Sequence, residues 1–486
     1  MGSTTADFET RLFIDGKYVQ GKGSPKVTCY NPTDGSVVSD NVHVASVQDV
    51  DDAVAAARAA FPGWASTAPL AKSKLLNKIA DLIEEQAGLF ARLESLCSGK
   101  PYKQTIVYEA PMAANIFRYY AGYTDKLEGE SLPPDNGFLR IIQKVPIGVC
   151  AAINAFNGGI IMVSMKVAPA LAAGNTIVIK GSEKSPLAVL AFGKLVEQAG
   201  FPPGTINLIT GGPETGSLLA SHMDIDKIAF TGSVGVGKKV AQAAAASNLK
   251  RVTLELGGKS PSIVFPDANL DVATQWCVQG IVGNSGQACI ASSRVYVHRD
   301  IKEKFVDRMK QALDGTKGLM GKDVFAESTQ LGPLVDRAHY ERVSSFVESG
   351  KQEATIVTGG ENPHGQGCWI TPALFIDPKP DAKIYKEEIF GPVVVVSEFT
   401  DEAEVIKRAN ATEFGLSGAV FSQDINRAIR VAGQIHSGAV CINCCTMFDH
   451  NVAFGGMKQS GWGRELGKHG IMGYTEPKTL YVNMTY

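Results

Sequence analysis

From Val145 onward the chain alternates short apolar runs with helix-length stretches: Ile147-Gly-Val149, Thr176-Ile-Val-Ile179, Ile206-Asn-Leu-Ile209, Ile228-Ala-Phe230 and Val252-Thr-Leu254. Such alternation predicts βαβ units around a parallel sheet. A second α/β pattern runs from Ser262-Ile-Val-Phe265 through Val295-Tyr-Val297 and Val393-Val-Val-Val396 to Ala439-Val440, and predicts a second domain of similar class. With 486 residues and 44% hydrophobic content the chain can bury more than one core, so two or three domains are expected. No repeat, low-complexity tract or Pro- and Ser-rich linker separates the patterns. The domains are therefore expected to dock around a cleft, where ligands usually sit.

The first part reads differently. Asp15-Gly16 between Leu12-Phe13-Ile14 and Tyr18-Val19 suits a type I′ turn and predicts an opening hairpin. Ser46 with Asp49 forms a capping box before Val50, Val54 and an alanine-rich run to Phe61. Leu75, Leu76, Ile79, Leu82, Ile83, Leu89, Phe90 and Leu93 recur at helical spacing, so long amphipathic helices are expected there.

Several partners are disfavoured by charge and hydropathy. Lys+Arg 47 against Asp+Glu 49 leaves a formal charge of -2, giving no electrostatic reason to expect nucleic acid or an anionic membrane. Met1-Gly2-Ser3-Thr4-Thr5-Ala6 shows no hydrophobic signal region and no myristoylation motif, and Met484-Thr485-Tyr486 is no organelle address. The most apolar stretch, Gly158 to Ala173, is interrupted by Lys166 and too short to span a bilayer. Nine cysteines are too sparse for a disulfide scaffold. A soluble, cytoplasmic protein acting on a small molecule is expected.

Two glycine-rich segments carry the reactive groups. Glu255 lies in Leu254-Glu255-Leu256-Gly257-Gly258-Lys259, and 34 residues later a thiol lies in Gly286-Gln287-Ala288-Cys289. A thiol nucleophile with a separate general base is equipment for acyl-thioester chemistry. The run Phe230-Thr231-Gly232-Ser233-Val-Gly235-Val-Gly237 follows one predicted strand and enters a helix, a geometry that can seat a phosphate. It departs from GxGxxG because Val240 takes the last position. Cys441-Ile-Asn-Cys444-Cys445, with His450 beyond, lacks a second ligand pair at zinc spacing, so no metal is expected.

These segments, with Glu387-Glu388-Ile-Phe390-Gly-Pro and Phe454-Gly-Gly-Met-Lys-Gln-Ser-Gly461-Trp-Gly-Arg-Glu465, closely resemble the aldehyde dehydrogenase superfamily from about Leu12 to Val482. The resemblance implies an α/β, aldehyde dehydrogenase-like fold of two Rossmann-type parallel-sheet domains plus a small β oligomerisation domain. It places an NAD-binding domain at 1–122 and 145–255, a catalytic domain at 256–440, and an oligomerisation domain at 123–144 and 470–486. Residues 441–469 return to the interface between cofactor and substrate. It also implies NAD(P)-dependent oxidation of an aldehyde, with Cys289 as nucleophile, Glu255 activating the hydrolytic water and Asn157 in the oxyanion hole.

Lys166 and Glu465 match a pair that either relays protons from Glu255 or forms a structural ion pair. Lys180 and Glu183 match the pair that grips the adenosine ribose, and a carboxylate there favours NAD over NADP. Glu388 and Phe390 match the nicotinamide side. Ile153, Asn154, Phe156, Ser182, Gly212, Phe230, Thr231, Gly232, Ser233, Gly235 and Leu256 complete the expected cofactor site.

The expected substrate pocket comprises Gly158, Ile161, Met165, Gly283, Ala288, Ile290, Phe448 and Phe454. The family usually shows Pro-Trp-Asn-Phe-Pro where this chain has Ala155-Phe156-Asn157-Gly158-Gly159. Glycines at 158, 159 and 283 are expected to widen the pocket for a bulky, cyclic or aromatic aldehyde. The resemblance further implies a homodimer or homotetramer. Two other readings stand at this stage: a semialdehyde or CoA-acylating dehydrogenase, and a catalytically inactive binding or structural protein.

Overall fold

The structure is a computed structural model that describes residues 8–23 and 26–485. The start read above for leader and lipidation signals, Met1–Ala6, and the terminal Tyr486 lie outside the described residues.

One eight-stranded sheet runs in the order Gly461–Trp462, Arg251–Glu255, Lys227–Thr231, Val149–Ile153, Thr176–Gly181, Ile206–Thr210, Leu12–Ile14, Lys17–Val19. Its five central strands are parallel, and antiparallel strands finish both edges. The chain starts this parallel set at Val149–Ile153 in the middle, builds outward to Ile206–Thr210, then crosses back to Lys227–Thr231. Strand order therefore reverses beside Ile153, and the crevice beyond the strand ends is where open α/β sheets bind ligands.

The first run differs from expectation. Ile147-Gly148-Val149 is not a strand, because Gly148 adopts φ +138°. The strand begins at Val149 and continues through Cys150, Ala151 and Ala152, small residues whose strand signal is weak. The opening hairpin forms with Asp15 and Gly16 both left-handed, at φ 54° and 73°. The Ser46–Asp49 capping box starts the helix Val47–Ser66.

A second, seven-stranded sheet contains Thr355–Thr358, Ala373–Ile376, Val393–Phe399, Arg294–His298, Pro261–Val264, Ser417–Phe421 and Ala439–Ile442 in that order. All neighbours are parallel except the first pair. The strands Thr355–Thr358, Ala373–Ile376 and Ser417–Phe421 were not expected, nor was the hairpin Val27–Tyr30 with Val37–Val42. A third sheet pairs Glu130–Asp135, Phe138–Pro146 and Thr475–Asn483 antiparallel, joining a segment from the first third of the chain to one near its end.

The helix Gly159–Ala172 buries every residue except Met162 to near completion. It is therefore apolar all round, and it carries Lys166 into the interior. Among the described residues no helix is long and apolar enough to cross a membrane.

Candidate active site

Glu255 ends the Arg251–Glu255 strand and is immediately followed by a backbone that runs against two other site residues. A methyl at Gly257 would overlap the Glu388 carboxylate, and one at Gly258 would overlap the Cys289 carbonyl. Glycine at both positions is what lets the strand end, the nucleophile loop and Glu388 meet. Glu388 accepts a hydrogen bond from the Gly258 N–H at 3.0 Å. Burial raises its pKa, and that hydrogen bond opposes the rise.

The cysteine loop is held from several sides. Asn284, Ser285 and Gly286 are all left-handed, at φ 49°, 54° and 70°. Such a run persists only where surroundings impose it. Here the Ser285 hydroxyl donates to Gly332 O at 2.6 Å, and Gln287 accepts from the Val335 N–H at 2.9 Å. Gly286 packs directly on the Gly391–Pro392 peptide. Gln287 and Asn284 were not read as site residues, although Gln287 lies inside the quoted cysteine motif.

Asn157 faces the same loop. Its side-chain amide donates to Gln287 O at 3.0 Å, and the Asn284 amide donates back to Asn157 O at 3.3 Å. The adjacent Asn154 is buried with neither side-chain polar atom partnered, while its backbone N–H pairs with Lys180 O.

The electrostatics set the resting protonation. Burial pushes the Cys289 thiol up to about 12, with the charges of Glu388 and Glu255 adding to the shift. Burial also pushes Glu255 up to about 8, against the opposing influence of Lys166 and Arg464. Both Glu255 carboxylate oxygens are buried without a hydrogen-bond partner. An unpartnered buried carboxylate of this kind can take a proton near neutral pH. Lys166 contacts Glu465 and donates to the Thr231 hydroxyl at 2.9 Å, and burial brings its ammonium down to about 7.

The residues expected to hold a dinucleotide lie along the carboxyl ends of the first sheet. Ser233 caps the helix Val234–Ala246 without using its side chain, leaving the first-turn N–H groups free for a phosphate. Cβ atoms built on Gly212 and Gly235 meet nothing within 4 Å, so the backbone there borders open space. Lys180 is buried with its Nζ 3.3 Å from the half-exposed Glu183 carboxylate, and Ser182 lies between them. Ile153 and Leu256 are buried beside Phe230, and Thr231 and Gly232 continue that strand into the turn. Phe390 takes φ +60° and meets Phe156 edge-on at 5.7 Å. These groups fit a dinucleotide.

Comparison with known proteins places this arrangement. Residues 18–480 match the model of the aldehyde dehydrogenase family. The chain belongs to that family. It is 44% identical to an aldehyde dehydrogenase of Emericella nidulans, covering 97% of this chain and 95% of the relative. It is 42% identical to human retinal dehydrogenase 2, covering 98% and 92% of the two chains. The solved NAD+ complex of a Bacillus cereus aldehyde dehydrogenase superposes with a TM-score of 0.96 at 40% identity, covering 100% of this chain and 99% of that one.

In this aldehyde dehydrogenase the pocket residues divide. Ala288 and Ile290 flank Cys289 half-exposed, and Gly283 borders open space. Phe448 and Phe454 stack edge to face at 5.4 Å against the cluster that buries Ile161 and Met165. Gly158 is covered by Met162, whose Cγ would lie 3.6 Å from an added Cβ. Gly159 does not face a pocket: an added Cβ would strike the buried Glu94 carboxylate. The expectation that Gly159 helps to widen the pocket is thus corrected, because its Cβ direction is already filled by Glu94, whereas a Cβ at Gly158 would make only an ordinary contact with Met162.

Proposed function

We propose that this enzyme oxidises a bulky aldehyde, cyclic or aromatic, to its carboxylic acid with NAD, through a thioester on Cys289. The carrying observation is the meeting of Cys289, Glu255 and Glu388 across Gly257 and Gly258. Cys289 Sγ attacks the aldehyde carbon. Burial keeps the resting thiol protonated, so its proton leaves to solvent past the half-exposed Cys289 as the C–S bond forms. The Asn157 amide and the Cys289 N–H stabilise the developing oxyanion.

Bound NAD would supply the acceptor for the hydride that the thiohemiacetal carbon loses as its C=O re-forms and the thioester is left. Glu388, Phe390 and Phe156 would hold its nicotinamide side, the Ser233 helix end its phosphates, and Lys180 with Glu183 its adenosine ribose. Glu183 accepts from a free 2′-hydroxyl and repels a 2′-phosphate, which favours NAD over NADP. Glu255 then removes a proton from water as that water adds to the thioester carbonyl. The C–S bond breaks, the thiol is restored and the acid leaves. Lys166 and Glu465 carry the proton away from Glu255.

A bulky substrate is supported by the open space at Gly283 and by the likeness to a relative named for retinal. The antiparallel sheet of Glu130–Asp135, Phe138–Pro146 and Thr475–Asn483 leaves Leu132, Phe138 and Tyr481 exposed, which favours subunit association there. The test is NADH formation on short aliphatic, long aliphatic, aromatic and polycyclic aldehydes, with Cys289→Ala as control. Turnover abolished in the variant and fastest on bulky aldehydes supports the proposal. Preference for short aldehydes would remove its substrate half, and full activity without the thiol would remove its mechanism.

A further inference from the structure

Behind Asn157 lies a buried ionic cluster that the reaction does not use directly. Lys100 Nζ is 3.3 Å from Glu94 Oε2 and 2.8 Å from Glu109 Oε1, and all three side chains are at most 5% exposed. Glu94 belongs to the helix Ala87–Ser98, and Glu109 ends the π-helical turn Thr105–Glu109. Two carboxylates share one ammonium, so the cluster is neutral only if one carboxyl keeps its proton. Burial does raise the Glu94 pKa, with Lys100 and the Gly159 N–H opposing.

Glu94 also reaches beyond the cluster. Its carboxylate occupies the space where a side chain at Gly159 would begin. Gly159 is the first residue of the helix Gly159–Ala172, two positions after Asn157. The segment from Asn157 to Gly159 is therefore gripped from two sides: by Gln287 and Asn284 on the nucleophile side, and by Glu94 from behind. Its two glycines have little conformational preference of their own, so external contacts must set its path.

We propose that Glu94 is a positioning residue for Asn157, its carboxyl group acting as a backstop that fixes where the helix starts and hence where the amide meets the oxyanion. The inference rests on the oxyanion role proposed for Asn157. Glu94→Gln keeps the atoms that abut Gly159 and leaves Lys100 paired with Glu109, whereas Glu94→Ala removes the backstop. Displacing a catalytic group by about 1 Å can cost on the order of 100-fold, so Glu94→Ala is expected to lower kcat by about 10- to 100-fold. NAD binding should be unchanged and Glu94→Gln should stay within about twofold.

The deciding experiment repeats these substitutions in an Asn157→Ala background, measuring kcat, NAD affinity by fluorescence titration and Tm. Without the amide, Glu94→Ala should cost less than about twofold in kcat, because coupled residues are not additive. Gly159→Ala, which presses on the same contact from the other side, is the second variant and should behave alike if Glu94→Ala folds poorly. Equal losses in both backgrounds would overturn the proposal, as would Glu94→Gln failing as badly as Glu94→Ala. Wild-type silence on every aldehyde would overturn both this inference and the function it rests on.

Discussion

Lys166 and Glu465, 299 positions apart in sequence, form a buried ion pair next to the Thr231 hydroxyl. The ammonium also favours the ionised form of Glu255. The sign of the resulting pH dependence is definite. With Glu255 as the proposed base, raised by burial to about 8, kcat should rise as pH passes through that value. Lys166→Met removes a favourable charge, so Glu255 ionises later and the rising limb should move to higher pH, by less than about one unit because Lys166 itself loses much of its charge above about 7. A pH profile of kcat checks this, and a limb that stays in place would show that the two groups are not coupled.

Glu255→Gln separates the two halves of the reaction. Acyl transfer to the thiol should still give a rapid first turnover of NADH, while steady-state kcat falls by about 100- to 10,000-fold. Stopped-flow absorbance reads both phases. Loss of the first turnover to the same degree would give Glu255 its main role in activating the thiol instead.

Most of the fold was legible because apolar run length and spacing are local properties. Lys227–Thr231 and Arg251–Glu255 were read to within a residue at each end. Val149–Ile153 was misplaced because its alanines carry little strand signal and the cue lay in Gly148 just before it. Ser417–Phe421 was missed for the similar reason that Ser417, Gly418 and Ala419 are small; its burial comes from neighbouring strands. In the site, the reactive residues stood out by chemistry. The bracing of the cysteine loop by Gly332 and Val335, and of Gly159 by Glu94, depends on contacts between distant segments that no local pattern encodes.

Asn157→Ala removes the proposed oxyanion donor. A loss of about 100- to 1,000-fold in kcat is expected, with NAD affinity preserved. Steady-state kinetics with a saturating aldehyde measure it, and a loss confined to KM would mean that the amide binds the ground state equally well.

Glu183 should set the cofactor preference. Glu183→Ala removes the charge that opposes a 2′-phosphate, so the ratio of kcat/KM for NAD over NADP should fall by at least about tenfold. Parallel assays with both cofactors check it. An unchanged ratio would place the discrimination elsewhere.

The most direct test of the central claim is peptide mass mapping of Glu255→Gln after mixing with NAD and an aromatic aldehyde. An acyl mass increment is expected on the Cys289 peptide, one that forms only when NAD is present and persists because hydrolysis is slow. An increment on another cysteine, or NADH formed with no thioester at Cys289, would contradict that claim.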